Sequence, residues 1–252
     1  MLTRQQLQRL AQQAQIGLQA QERDYVQHLL VALLSLRSQA LIFKGGTALR
    51  MVYKGNRYSE DLDFNGPDDV AGLQSTWAGV VKDSERYGLV ASIRQEWQGE
   101  GGYSFDVSYQ GPLYDGRDRT KGKVRVDISL RGEPVDTRRE LVTCGYDDVR
   151  PFVVTVLAPV HLMAEKMRAL LVRAKPRDLY DLWLMHSQGW RLDRDLLNRK
   201  LKLYDRPFTL EWLNERLADL APEWERDMRP LLTQFVTYDE AKQVIAELVA
   251  GE

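Results

Sequence analysis

Asp61-Leu62-Asp63-Phe64 sets two carboxylates and two large apolar side chains in strict alternation. A strand with one buried face satisfies both demands. Successive side chains point to opposite faces, so Leu62 and Phe64 enter a core while Asp61 and Asp63 share the other face. A solvated acidic turn can also carry Asp-x-Asp, but the apolar flanks on both sides argue against it. Two carboxylates on one face repel unless cations neutralise them. Hard oxygen ligands of this kind suit Mg2+ or Mn2+, which keep waters and bind substrate phosphates. Two such ions about 3.5–4 Å apart can activate an attacking hydroxyl and stabilise a departing pyrophosphate.

Upstream, Leu41-Ile42-Phe43 reads as a short buried strand that ends at Gly45-Gly46, and residues 47–53 as a short helix with Thr47 at its N-cap. Glycine lets the backbone approach a ligand closely and adopt positive φ. Successive N–H groups can then form an anion nest, to which the helix start adds its dipole. A plain strand-to-helix turn has the same sequence signature.

Helical spacing also covers residues 3–16 and 24–38, and a further helix runs from Pro67 to a glycine stop at Gly88. Strands are expected over 89–97, 103–109 and 123–130. In the last of these, Val124, Val126, Ile128 and Leu130 alternate with Arg125, Asp127, Ser129 and Arg131. Asp127 thus lies on a polar strand face. It is a candidate third carboxylate, as metal ligand or as general base toward an attacking hydroxyl; a salt bridge to Arg125 or Arg131 is the alternative. After Pro151 the spacing is helical over 159–172, 177–188, 194–204, 210–220 and 238–249. The expected organisation is α+β: an α/β domain over 1–150 around a small mixed sheet, then a helical domain over 151–252.

Gly45-Gly46-Thr47 followed by Arg57-x-Ser59-x-Asp61-x-Asp63 resembles the nucleotidyltransferase signature of the polymerase-β-like superfamily. It is most similar to the AbiEii/AbiGii (MenT-like) toxin family. Glu165-Lys166-Met167-Arg168-Ala169-Leu170 and Lys175-Pro176-Arg177-Asp178-Leu179-Tyr180-Asp181-Leu182 resemble that family's third and fourth motifs, in the family's order. The resemblance implies that Gly45, Gly46 and Thr47 hold phosphates. It implies that Asp61 and Asp63 bind metal and that Arg57 and Ser59 position the nucleotide. Lys166 would contact phosphates and Asp178 would complete the site, orienting Lys166, with the two domains forming a cleft for an NTP and Mg2+. The family often has a charged residue about five after the lysine; here that position is Leu171, with Arg168 and Arg173 as possible substitutes. The residues alone leave other readings open. Lys166 fits an exposed lysine bordering the apolar face of Met163, Met167, Leu170 and Leu171. Asp178 and Asp181 fit a helix start with a salt bridge to Arg177. Tyr53, Tyr58 and Tyr180 lie near the motifs, and one of them could stack on a nucleobase.

The resemblance further implies transfer of NMP from an NTP to a tRNA 3′ end, by the toxin of a toxin–antitoxin pair. Transfer to a protein or small molecule, or NTP binding without catalysis, are the alternatives. A net charge of −1 gives no global attraction to nucleic acid, so any such binding must be local. Two basic segments flank the expected site: Arg117, Arg119, Lys121, Lys123 and Arg125 against Asp118 alone, and Lys166, Arg168, Arg173, Lys175 and Arg177 with no acid among them. Such clusters suit an RNA acceptor, although solvated helix faces look alike. The single cysteine, Cys144, excludes an internal disulfide and a cysteine zinc site, which fits a reducing cytoplasm. The longest apolar run, residues 26–36, is broken by Gln27, His28 and Ser35 and falls short of the roughly 20 residues a bilayer requires. A cytoplasmic protein without membrane spans is therefore expected.

Overall fold

β1 (Ile42–Lys44) and β2 (Asp61–Asn65) run antiparallel near the middle of a seven-stranded mixed sheet, with Phe43 paired to Phe64 and Lys44 to Asp63. The protein is described here by a computed structural model over residues 1–250. On one side of the central pair, β2 lies parallel to β5 (Gly122–Ser129), and β4 (Gly102–Gln110) and β3 (Val90–Gly99) continue the sheet antiparallel. On the other side, β1 lies parallel to β7 (Phe152–Leu157), which pairs antiparallel with β6 (Thr137–Val142). The strand order is β3-β4-β5-β2-β1-β7-β6.

The alternation at 61–65 does what the pleat demands. Leu62 and Phe64 are buried, while Asp61, Asp63 and Asn65 stay half-buried on the opposite face. Phe64 stacks on Phe43 with ring centroids 5.2 Å apart and meets the edge of Trp77 at 6.0 Å, and Trp77 reaches Phe105 at 5.2 Å. Trp77 comes from α4 (Val70–Ser84), which together with α2 (Leu18–Ser35) supplies the buried aromatic and aliphatic layer. Burying Leu62 and Phe64 contributes roughly 1.5–3 kcal/mol each, and aromatic pairs of this geometry add about 0.5–1.5 kcal/mol. α1 (Arg4–Ala14) starts on a capping box in which Thr3 and Gln6 satisfy each other's backbone N–H.

Several elements depart from the sequence expectation. α2 begins at Leu18, six residues before the expected start, because Gln21 and Glu22 are buried polar residues that interrupt the apolar pattern. The helix after β1 is α3 (Gly45–Met51), and its N-cap is Lys44 without a side-chain hydrogen bond. Thr47 therefore lies inside the first turn and caps nothing. β6, β7 and the short α9 (Trp224–Met228) were not anticipated.

The chain forms two compact units: Met1–Leu157, which holds the sheet, and a helical unit from Ala158 onward. Residues 151–157 thus contain a strand of the first unit's sheet rather than the opening of the helical one. In the helical unit, α5 (Pro159–Arg173) and α6 (Pro176–Ser187) each carry proline in the first turn, where its missing N–H costs nothing. They are linked through Ala174, left-handed at φ 46°. α7 (Arg194–Leu201), α8 (Leu210–Leu220), α9 and α10 (Tyr238–Ala250) complete the unit. Among the described residues, no helix is long and apolar enough to cross a membrane.

Candidate active site

The two half-buried carboxylates of β2 have neighbours on both sides. The Cα of Asp63 pairs with that of Lys44 on β1 and with that of Asp127 on β5, and Asp61 pairs with Arg125. Paired positions share a sheet face, so Asp61, Asp63 and Asp127 belong to one face. Lys44 belongs to it too, a residue that sequence reasoning passed over. Asp127 is also the salt-bridge residue of the alternative reading: its carboxylate lies 3.4 Å from Arg125 Nε and is about half exposed, at 47%. Arg125 further contacts the buried Asp106 at 3.3 Å and Ser104 Oγ at 2.6 Å.

The glycines of α3 pack against this face. Gly45 adopts φ +75°, and a Cβ there would sit 2.8 Å from Asp63 Cγ and collide with its Oδ2. A Cβ on Gly46 would meet Ser59 Oγ at 2.8 Å and the Arg57 guanidinium. Each glycine thus leaves room for a group expected in the site, and five of the expected residues come together here: Gly45, Gly46, Arg57, Ser59 and Asp63. Arg57 is buried and donates from Nη1 to the Tyr58 carbonyl at 3.1 Å. Thr47 is fully buried, and its hydroxyl donates to the backbone carbonyl of Asp61. That bond ties α3 to the start of β2. Gly45→Ala is expected to destabilise the protein by more than about 1 kcal/mol, since alanine is strained at positive φ, and to displace the Asp63 carboxylate. A melting temperature equal to that of the unaltered protein would contradict this.

The fit to a divalent cation can be tested on the donor set. Among the described residues, no three His, Cys, Asp or Glu side chains form a ready metal cage. Mg2+ does not ask for one, because it commonly takes one or two carboxylates and completes its shell with water and substrate phosphate. Asp61 and Asp63, on one face and with Gly45 packed against Asp63, fit that role.

In the helical unit, Lys166 of α5 is buried between two carboxylates of α6, with Nζ 2.7 Å from Asp181 and 3.3 Å from Asp178. Asp178 is fully buried and also receives both Nε and Nη2 of Arg173, each at 2.8 Å. Of the two arginines named as possible substitutes at the Leu171 departure, Arg173 is the one in contact with Asp178. Asp181 was not singled out as a site residue, yet it holds Lys166 more closely than Asp178 does. The available signal was the i, i+3 spacing of the two aspartates, which places them on one helix face. Arg177 is not the partner of either carboxylate at the start of α6.

Burial alone would raise the pKa of Asp178, but Lys166 and Arg173 hold it below the ordinary carboxylate value. Asp24 is likewise held low in spite of burial, by His28 and Arg50. A carboxyl with a depressed folded-state pKa contributes its full stability above the unfolded value near 3.9 and loses it as pH falls through the folded value. Melting temperature should therefore fall as pH is lowered from about 4, and Asp178→Asn should flatten that fall. An equally steep fall in the variant would count against this assignment.

The structure narrows two expectations. Tyr58 and Tyr180 are buried, which leaves Tyr53, partly exposed, as the candidate among the three for a nucleobase. The excess positive charge of the segment at 117–125 is also partly offset by neighbouring acids. Arg117 pairs with Asp115, Lys121 with Asp118 at 2.8 Å, and Lys123 and Arg125 with Asp106. Counting acids only within the segment overlooked Asp115 and Asp106.

Comparison with known proteins decides the family. The model of the nucleotidyl transferase AbiEii toxin family, of type IV toxin–antitoxin systems, matches residues 28–247. The chain belongs to the AbiEii family. It is accordingly a nucleotidyltransferase of a toxin family. No curated protein matches it. Among solved structures it is similar to MenT4, a nucleotidyltransferase toxin from Mycobacterium tuberculosis H37Rv, with 23% identity and a TM-score of 0.71, covering 99% of this chain and 90% of that one. It is also similar to JHP933 from Helicobacter pylori, with 18% identity and a TM-score of 0.62, covering 94% of this chain and 96% of that one. At these identities the likeness is one of fold.

Proposed function

We propose that this AbiEii-family chain moves NMP from an NTP to the hydroxyl of a tRNA 3′ end, as the toxin of a pair whose antitoxin counters it. The observation that carries the chemistry is the packing of Gly45 against Asp63 and of Gly46 against Arg57 and Ser59. Asp61 and Asp63 would hold Mg2+ or Mn2+, with Asp127 the candidate third acid. The ion, when bound, polarises the phosphate undergoing attack and stabilises the leaving pyrophosphate. Gly45 and Gly46 allow the triphosphate to approach the backbone, and Arg57 and Ser59 orient it. Thr47 keeps α3 fixed to β2. Within the helical unit, Asp178 and Asp181 hold the ammonium group of Lys166, for which the family resemblance implies a contact with phosphate. Asp127 takes the proton of the acceptor hydroxyl, for which its half-exposed carboxylate is accessible.

The tRNA acceptor rests on the family resemblance. The ion pairing of the 117–125 segment removes part of the local positive charge and favours, as second reading, transfer to a protein or a small molecule. Incubation with each α-labelled NTP, Mg2+ and total RNA separates the two. Label in RNA of tRNA size supports the first reading, and label confined to protein or to small products overturns it. Growth arrest on expression, relieved by a co-expressed neighbouring gene product, would test the toxin role.

A further inference from the structure

Five polar side chains of the sheet unit close a ring that includes none of the residues expected to hold metal or phosphate. Asp24 of α2, 2% exposed, accepts from Arg50 Nε of α3 and from the Tyr146 hydroxyl. The Tyr146 hydroxyl accepts from Gln21 Nε2 at 2.7 Å, and Gln21 Oε1 accepts from the Tyr58 hydroxyl at 2.8 Å. The Tyr58 ring lies under the Arg50 guanidinium, 3.5 Å from centroid to Cζ, which returns the circuit to Asp24. Arg50 Nη1 also donates to the Gly55 carbonyl at 3.2 Å. A buried charge is tolerated only when paired and hydrogen-bonded, and a fully satisfied polar network fixes one arrangement of the elements that supply it.

The elements so fixed are the two that build the glycine contacts. Arg50 stands in the last turn of α3, whose first residues are Gly45 and Gly46. Tyr58 lies between Arg57 and Ser59, the two side chains packed on Gly46. All five ring members line a cavity of about 500 Å3 that His28 and Cys144 also border, so small solutes can reach the ring.

We propose that Asp24, Arg50 and Tyr58 are positioning residues for nucleotide transfer, holding α3 and the Arg57–Ser59 segment at the separation the nucleotide requires. This rests on the reading of the Gly46 region as the nucleotide site. A displacement of about 1 Å at a reacting centre can cost about 10²-fold in rate. Arg50→Ala is accordingly expected to lower kcat by about that factor at temperatures well below its melting point, and Arg50→Lys to lose less. Methylguanidinium, entering the cavity, should restore at least about tenfold of the rate in Arg50→Ala, at concentrations far below those that unfold the protein. Where Arg50→Ala does not fold, Tyr58→Phe removes one hydroxyl link and should still lower kcat with little change in melting temperature.

Hydrogen exchange reads the ring without any activity. In either variant, amides of residues 45–49 and 57–59 should exchange faster while those of β4 and β5 are unchanged. Unaltered exchange in both segments would overturn the inference even if the unmodified protein transferred nothing, and that last result would overturn only the functional reading. Wild-type kcat in Tyr58→Phe, or loss of rate in a folded Arg50→Ala that methylguanidinium leaves unrestored, would overturn it as well.

Discussion

Asp63→Ala is expected to lower nucleotide transfer about 10³-fold or more while the protein stays folded. Metal-assisted charge stabilisation is worth several kcal/mol, and each 1.36 kcal/mol is a factor of ten in rate. The side chain is half-buried, and the variant keeps its Cβ. The substitution also relieves repulsion with Asp61 across the same face, which offsets loss of the contacts Asp63 makes. Transfer of α-label and thermal unfolding on the same preparation give both numbers. Retention of a tenth of the activity or more would remove Asp63 from the metal site, and a collapse in melting temperature would mean the carboxylate is structural.

Lys166→Met should do the reverse in kind: it removes a side chain the helical unit needs for stability as well as one that the proposed reaction uses. The ammonium group is enclosed by Asp178 and Asp181, both buried. Breaking a buried ion pair by deleting one partner costs about 3–5 kcal/mol, and the two contacts of Arg173 with Asp178 place the expected loss near the lower end. For a unit of this size, about 3 kcal/mol corresponds to a fall of roughly 10 °C or more in melting temperature. The double variant Lys166→Met/Asp181→Asn removes a stranded charge together with its partner. It should regain part of the stability and none of the transfer. A double variant no more stable than the single one would show that Asp181 is not the main counter-charge of Lys166.

How far the sequence disclosed this molecule depends on where each element finds its partners. β2 and β5 were legible because one face is apolar and the other polar, a pattern local to each strand. α5 was legible from Pro159 and an apolar face at helical spacing. β7 was not, since a short apolar run between two prolines acquires its identity from pairing with β1, over a hundred residues away. β6 is an edge strand of mostly exposed side chains and carries no alternation. α2 was truncated because its polar residues face α3 and Tyr146 rather than water, which only the folded chain reveals. The same holds for the site. The type and spacing of Gly45, Gly46, Asp61 and Asp63 announced a chemistry. The roles of Arg173, Asp181 and Arg50 depend on helix neighbours that spacing alone does not specify, and the charge balance of 117–125 depended on acids outside the segment.

The pairing of Asp63 with Asp127, and of Leu62 and Phe64 with the core, has a consequence for the population of molecules a cell would contain. The pleat repeats every two residues, so a slip of one position between β2 and β5 turns both carboxylates inward and both apolar side chains outward. Such a chain cannot close its interior, and it displays the unburied surface that proteases and chaperones recognise. Assembly of the acidic face and completion of the interior are thus a single event. The protein is expected as fully competent copies or as degradable ones, with no weakly active species in between.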